Sequence, residues 1–287
     1  MTLKRSLIES RQDAFRKEVV KRMGFVRDKY QNAIRPIYGC DERGRLKLSG
    51  SCVLLKIDNT PLLLTAGHIT DDSKHTTLYT AGYNGRNLTP ITFDEAITTN
   101  PDVRRSDDPY DFSLIKIPDR MEQKLQGVSY VGEQEIRKHP YYTEGHVFMA
   151  FGFPCSKNNG KAINKYTKEI KGTMWSYSST SVTTEEVANA LGNQGEDHLL
   201  ISFDEEHSFD ANGKMIDSIR PVGMSGGALF DLGNVADPSS LEEQATSHIR
   251  LVGVMTKHKA DHKIMMATHT SAVLYAYTQM NESAGAQ

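Results

Sequence analysis

The sequence predicts an all-β protein, a sandwich or barrel of short strands, on three observations. Apolar residues cluster in short runs with a two-residue alternation, as over 51–57 and 112–117. Turn formers separate the runs, among them Asp58-Asn59-Thr60-Pro61 and Tyr83-Asn84-Gly85. Helical periodicity is confined to the two ends of the chain. A two-residue period sends alternate side chains to opposite faces of a sheet, and frequent turns fold the strands back on one another.

The first thirty residues differ in character. Apolar side chains fall at Leu7, Ile8, Phe15, Val19, Met23 and Val26, close to one face of a helix. Nine Lys and Arg stand against four acidic residues in this stretch. Such a helix can pack on the body of the protein with its basic stems laid along apolar surface, dock a partner, or switch activity. The apolar stripe is narrow for a membrane-surface helix. Strands then take over at 51–57, at Leu62-Leu63-Leu64, at Ile91-Thr92-Phe93 and at 112–117. Periodicity fades over 128–142, which reads as a connection, and a second β-rich stretch begins over 145–154. Residues 156–161, 191–196 and 231–248 are rich in Gly, Asn, Asp, Pro and Ser and read as exposed loops. A short terminal helix is expected over 271–280.

The run Arg220-Pro221-Val222-Gly223-Met224-Ser225-Gly226-Gly227-Ala228-Leu229-Phe230 places a serine on a glycine-lined turn that feeds an apolar strand. A serine hydroxyl is a poor nucleophile at neutral pH and needs a base beside it and amides for the oxyanion. Candidates for its partners lie upstream. Leu62-Leu63-Leu64-Thr65-Ala66-Gly67-His68 ends an apolar strand on a histidine, and Asp111 stands at the mouth of the strand Phe112-Ser113-Leu114-Ile115-Lys116-Ile117. Gly-Met-Ser-Gly-Gly also satisfies the G-x-S-x-G pattern of esterases, but the order His, Asp, Ser differs from their Ser, Asp, His.

These motifs, "LTAGH", "DFSLIKI" and "GMSGGAL", resemble the signatures of trypsin-like (chymotrypsin-fold) serine proteases, in a bacterial intracellular form. Leu251-Val252-Gly253-Val254-Met255-Thr256 is similar to the family's strand along the primary specificity pocket, and Phe148-Met149-Ala150-Phe151-Gly152-Phe153-Pro154 resembles a strand of bacterial members. The resemblance spans residues 35 to 280, loosely between Pro154 and His198. It implies two packed six-stranded antiparallel β-barrels, over 31–127 and 143–287, with His68 and Asp111 in the first and Ser225 in the second. It further implies an oxyanion hole at the N–H groups of Gly223 and Ser225, and Thr256 in the position of a serine that helps hold the aspartate. Ile219, Met255 and Thr256 are the implied substrate-binding residues. Pocket specificity stays open: Ile219 at the base favours an apolar side chain, Asp217 would select Lys or Arg, and Lys257 with His258 would admit an acidic one. Met224 stands where the family's zymogens carry an aspartate, which argues against activation by that ion pair and for another route, such as a protein partner. Proteases of this build occur beside stress and anti-phage defence genes, and the resemblance implies such a setting.

With 287 residues, 38% hydrophobic and 24% charged, the chain is long enough for one large or two small cores. A net charge of −2 gives no global attraction to nucleic acid. Cys40, Cys52 and Cys155 are few, odd in number and scattered, which suggests reduced thiols. The N-terminal residues lack the continuous apolar core of a signal peptide, and no stretch approaches the ~20 apolar residues of a membrane span. The expectation is a cytoplasmic protein acting on protein substrates, without cofactor. Neither His258 and His262 nor the 204–207 cluster has the spacing of a zinc site. A non-catalytic protein-binding module on the same fold, and an esterase, are the alternative functions.

Overall fold

Two large, mainly antiparallel sheets and one small hairpin make up the described strands. The computed structural model describes residues 2–82, 88–100, 103–105, 107–141, 143–158, 170, 172–182, 197–203, 208–209, 215–216, 218–235 and 243–285. The first sheet is built from β1 (Ile34–Cys40), β2 (Leu46–Ile57), β3 (Thr60–Ala66), β4 (Tyr79–Ala81), β5 (Leu88–Pro90), β6 (Ala96–Thr98) and β7 (Phe112–Lys116). Their order is β5-β4-β1-β2-β3-β7-β6, and a two-residue strand, β8 (Val131–Gly132), pairs in parallel with β2. The second sheet is built from β9 (His146–Gly152), β10 (Trp175–Thr180) and β11 (His198–Ser202). After a hairpin of β12 (Ser208–Phe209) and β13 (Met215–Ile216) it gains β14 (Ala228–Asn234), β15 (Arg250–Lys259) and β16 (Ile264–His269). Its order is β10-β9-β14-β15-β16-β11, and a bridge from Ser181 to Ile201 joins the two edges into a closed barrel.

Among the described residues the second sheet has the expected six strands, whereas the first has eight, because several very short strands are added to it. Ile91-Thr92-Phe93 is not a strand. Ile91 instead turns its side chain into the first core while its N–H donates to Leu78 O (2.8 Å). Residues 231–234 continue β14, and the connection over 128–142 contains β8. The 83–85 turn, the 204–207 cluster, the 191–196 loop and Asp217 lie outside the described residues.

Strand alternation explains the packing. Cys52 and Leu54 of β2 point into the first core with Leu63 and Ile115, while Val53 and Leu55 point the other way with Leu62, Leu64 and Leu114. That second set meets Met149, Phe151, Phe230 and Val254 of the second sheet, so one apolar layer joins the halves. Phe148, Leu229, Val252 and Met265 face the interior of the second barrel. Strands buried on both faces read as continuous apolar runs, as Cys52-Val53-Leu54-Leu55 does.

Helix α1 (Thr2–Tyr30) is exposed over residues 11–17, and its C-terminal half buries Val19, Met23, Val26 and Tyr30. Arg22, 1% exposed, donates to Leu232 O (2.6 Å) and to Glu18 Oε1 (2.8 Å), and Tyr30 stacks on Phe230. Two short helices follow in the first half, α2 (Gly67–Asp71) and α3 (Asp119–Glu122). The terminal helix α4 (Thr270–Gly285) buries Val273, Ala276, Tyr277 and Met280, one face at helical spacing. Among the described residues no helix is long and apolar enough to cross a membrane.

Candidate active site

The antiparallel register of β3 and β7 pairs Ala66 with Phe112. His68 lies two residues after the first and Asp111 one residue before the second, so both emerge at the same end of the sheet. Gly67 N–H donates to Asp111 O (2.8 Å), His68 N–H to Asp111 Oδ1 (2.9 Å), and His68 Nδ1 meets Asp111 Oδ2 at 2.8 Å. Asp111 is 1% exposed and takes a left-handed backbone (φ 46), a conformation aspartate tolerates better than most residues. Its carboxylate therefore fixes the imidazole by one nitrogen and leaves Nε2 for other work.

Arg105 braces this pair from behind. It donates from Nε to Asp71 Oδ2 (2.6 Å) on α2 and from Nη1 to Asp108 Oδ2 (3.0 Å) on the loop that ends at Asp111. The Arg105 hydrogen bond holds the Asp71 carboxyl below its ordinary range. The same loop is tied to the second half, where Lys257 Nζ donates to Asp108 O (2.7 Å) and Thr268 Oγ1 to Tyr110 O (2.5 Å). Burial pushes the Lys257 ammonium down.

Ser225 sits in the second of two consecutive turns. Met224 N–H donates to Pro221 O (2.8 Å) and Gly227 N–H to Met224 O (2.9 Å). Gly223 and Gly226 hold the third position of each, with φ of 94 and 80, the left-handed geometry of a type II turn. That requirement accounts for the spacing of the two glycines. A Cβ on Gly226 would also stand 2.0 Å from Ser51 O. The Val222 carbonyl accepts from Cys155 N–H (2.7 Å). A trans peptide holds C=O and N–H on opposite sides, so the Gly223 N–H is sent the other way. By the same reasoning, Met224 O is engaged inside its turn and the Ser225 N–H points out of it.

His68, Ser225 and Gly223 line one cavity of about 1300 Å³. It extends toward the β1–β2 hairpin, and Lys47, His75, Cys155 and His258 share its wall. The Ser225 hydroxyl donates to Thr256 O (3.3 Å). The Thr256 hydroxyl reaches Met266 O (3.5 Å) rather than Asp111. Met255 buries its side chain in the second barrel, and its backbone holds the Ser225 turn through Gly226 N–H (2.6 Å) and Gly227 O (2.8 Å). Ile219 is partly buried and, like Met255 and Thr256, is not part of the cavity wall. Burial pushes the Cys155 thiol up. Among the described residues no group of three or more His, Cys, Asp or Glu could hold a metal ion.

Sequence reasoning did not single out Ser51, Thr65, Arg105 or Cys155. Thr65 belongs to the "LTAGH" motif and was the one with a visible signal.

No protein-family model matches the chain, and no curated protein does. Among solved structures it is similar to the serine endoprotease from Yersinia pestis at 16% identity and a TM-score of 0.49, covering 89% of this chain and 65% of that one. The chain thus spans just under two thirds of that protein's length. It is also similar to a Glu endopeptidase in complex with MPD, at 17% identity and a TM-score of 0.48, covering 89% of this chain and 91% of that one.

Proposed function

We propose that this chain is a serine endopeptidase of trypsin-like type in which His68, Asp111 and Ser225 act as one unit on protein substrates. The observation that carries the reading is the His68–Asp111 hydrogen bond, which leaves Nε2 for the cavity that Ser225 also lines. A rotation about the Ser225 Cα–Cβ bond releases Thr256 O and turns the hydroxyl toward that nitrogen. His68 then takes the hydroxyl proton as Oγ attacks a peptide carbonyl, and returns it to the leaving amine. Asp111 holds the proton of Nδ1 in place and stabilises the imidazolium. The Gly223 and Ser225 N–H groups receive the oxyanion, each such donor contributing roughly 3–4 kcal/mol to the barrier lowering. Water reverses the sequence at the acyl-enzyme.

In this proposal Met255 and Thr256 support the site from behind the cavity wall, Met255 through its backbone bonds to Gly226 and Gly227 and Thr256 through its carbonyl at the Ser225 hydroxyl, and Ile219 lines none of it. Control by a protein partner, in place of a newly cut N-terminus, is part of the proposal. Met224 before the nucleophile is buried in the second barrel and offers no carboxylate for an ion pair. The three cysteines are free thiols, which supports a reducing compartment such as the cytoplasm. The test is comparative mapping of new protein N-termini in lysates treated with wild type or with Ser225→Ala. Termini specific to the wild type are expected, with a shared residue preference at the cut. Identical pools under every condition, partner included, would favour the protein-binding module.

A further inference from the structure

We infer that Ser51, in the middle of β2, is a positioning residue that locks the oxyanion turn from the opposite half of the molecule; this rests on the protease reading above. Ser51 has no solvent exposure and belongs to the first sheet, yet its polar groups reach chiefly into the second half. Its Oγ donates to Gly223 O (2.9 Å) and accepts from Phe153 N–H (2.9 Å). Its backbone N–H donates to Ser225 O (2.8 Å), and its carbonyl accepts from Thr65 Oγ1 (2.7 Å). One residue before Gly50, the β1–β2 register shifts between Ile37 and Tyr38, a bulge that bends the strand beside the site.

The hydroxyl acts at two points of one device. The Gly223 N–H is aimed only while the Val222–Gly223 peptide keeps its present face. Glycine without a Cβ has little backbone preference of its own, so neighbouring bonds must decide which face is kept. Ser51 Oγ holds the carbonyl on the far side of Gly223. Through the Phe153 N–H it also seats the 153–155 segment, whose Cys155 N–H holds the Val222 carbonyl. Without the hydroxyl, a buried carbonyl and a buried N–H lose their partner, and rotation of the turn regains hydrogen bonds at the expense of the oxyanion hole.

The experiment compares wild type, Ser51→Ala and the near-isosteric Ser51→Cys, a weak donor. Turnover is measured on a cleaved peptide, binding on a peptide aldehyde whose hemiacetal places an oxygen in the hole, and amide hydrogen exchange over residues 221–227. In Ser51→Ala, kcat and aldehyde affinity are expected to fall together by about 100-fold, with KM unchanged and faster exchange in the turn. Ser51→Cys should fall between, and it carries the test if the alanine variant does not fold. A lower Tm with kcat and aldehyde affinity unchanged would overturn the inference. If the wild type neither cleaves peptides nor binds the aldehyde, the protease reading fails. Exchange then decides for Ser51 alone: faster exchange in the variants supports the lock, and unchanged exchange overturns it.

Discussion

Replacing Asp111 by Asn removes one acceptor from a site that uses two. In the native protein Oδ1 accepts His68 N–H at 2.9 Å and Oδ2 faces Nδ1 at 2.8 Å. If the Asn oxygen keeps the backbone N–H, its amide NH₂ faces Nδ1. That nitrogen must then accept, and the ring proton moves to Nε2, the atom that takes the Ser225 proton in the proposed function. If the amide flips, its NH₂ opposes the His68 N–H, two donors in contact at a side chain 1% exposed, which costs about 1–3 kcal/mol. The first arrangement is therefore favoured, and it carries the wrong tautomer. Turnover should fall by about 10⁴, equivalent to about 5 kcal/mol in the barrier, while KM and Tm change little. Steady-state kinetics on a peptide substrate measures this, with a thermal melt to verify folding. A folded Asp111→Asn protein with kcat within tenfold of wild type would refute the assignment of Asp111 as the orienting acid.

Gly226→Ala places a Cβ 2.0 Å from Ser51 O and 2.4 Å from Thr65 Oγ1 at φ 80, and should cost about 3 kcal/mol by urea denaturation, together with loss of turnover. Unchanged stability would show that the turn and β2 can separate freely. Arg105→Met should destabilise by about 3 kcal/mol, because it removes the cation beside the buried Asp108 carboxylate, which keeps neutral donors from Thr99, Asn100 and Tyr110, and frees α2. The Asp71 carboxyl is depressed by the Arg105 hydrogen bond, so its contribution is present above the ordinary carboxylate range and lost as pH falls through its folded value. Arg105→Met should therefore show a flatter decline of stability with acid, and an identical decline would remove Asp71 from the account. His269 is pushed down to about 4 by burial, and its Nε2 finds no partner among the described residues. Its neutral form is favoured in the fold, so this stabilisation is complete above pH 6.5 and fades toward pH 4, by about 3 kcal/mol in all. His269→Asn keeps an acceptor for Ser271 N–H, now 3.0 Å from Nδ1. It should flatten urea midpoints between pH 7.5 and 5, and an unchanged slope would contradict the reasoning.

The strands that were legible in the sequence are those whose burial on both faces makes an apolar run, as at Cys52-Val53-Leu54-Leu55 and Leu62-Leu63-Leu64. β1 was not legible, since Arg35 and Pro36 interrupt it. The structure accommodates both because the Arg35 side chain donates to Ala81 O (2.9 Å) and Gly82 O, and Pro36 O accepts from Thr80 Oγ1. The strands β4, β5 and β6, three residues each, are too short to show a period. At the candidate site, His68, Asp111 and Ser225 were picked out by chemistry and chain order, and glycine spacing announces the turn. The braces do not. Ser51 and Arg105 work through contacts 172 and 34 residues away, and a lone Ser in a strand or Arg in a loop carries no local mark of such a partner. The extent of the cavity toward the β1–β2 hairpin was equally hidden, because it depends on how the two halves meet.

The most direct test of the shared active centre is covalent labelling by a fluorophosphonate, followed by intact mass and peptide mapping. One adduct per chain, on Ser225, is expected for the wild type, with labelling slowed at least 1,000-fold in folded His68→Ala and absent in Ser225→Ala. Labelling that proceeds at the wild-type rate without the imidazole at position 68, or an adduct on any other residue, would contradict it.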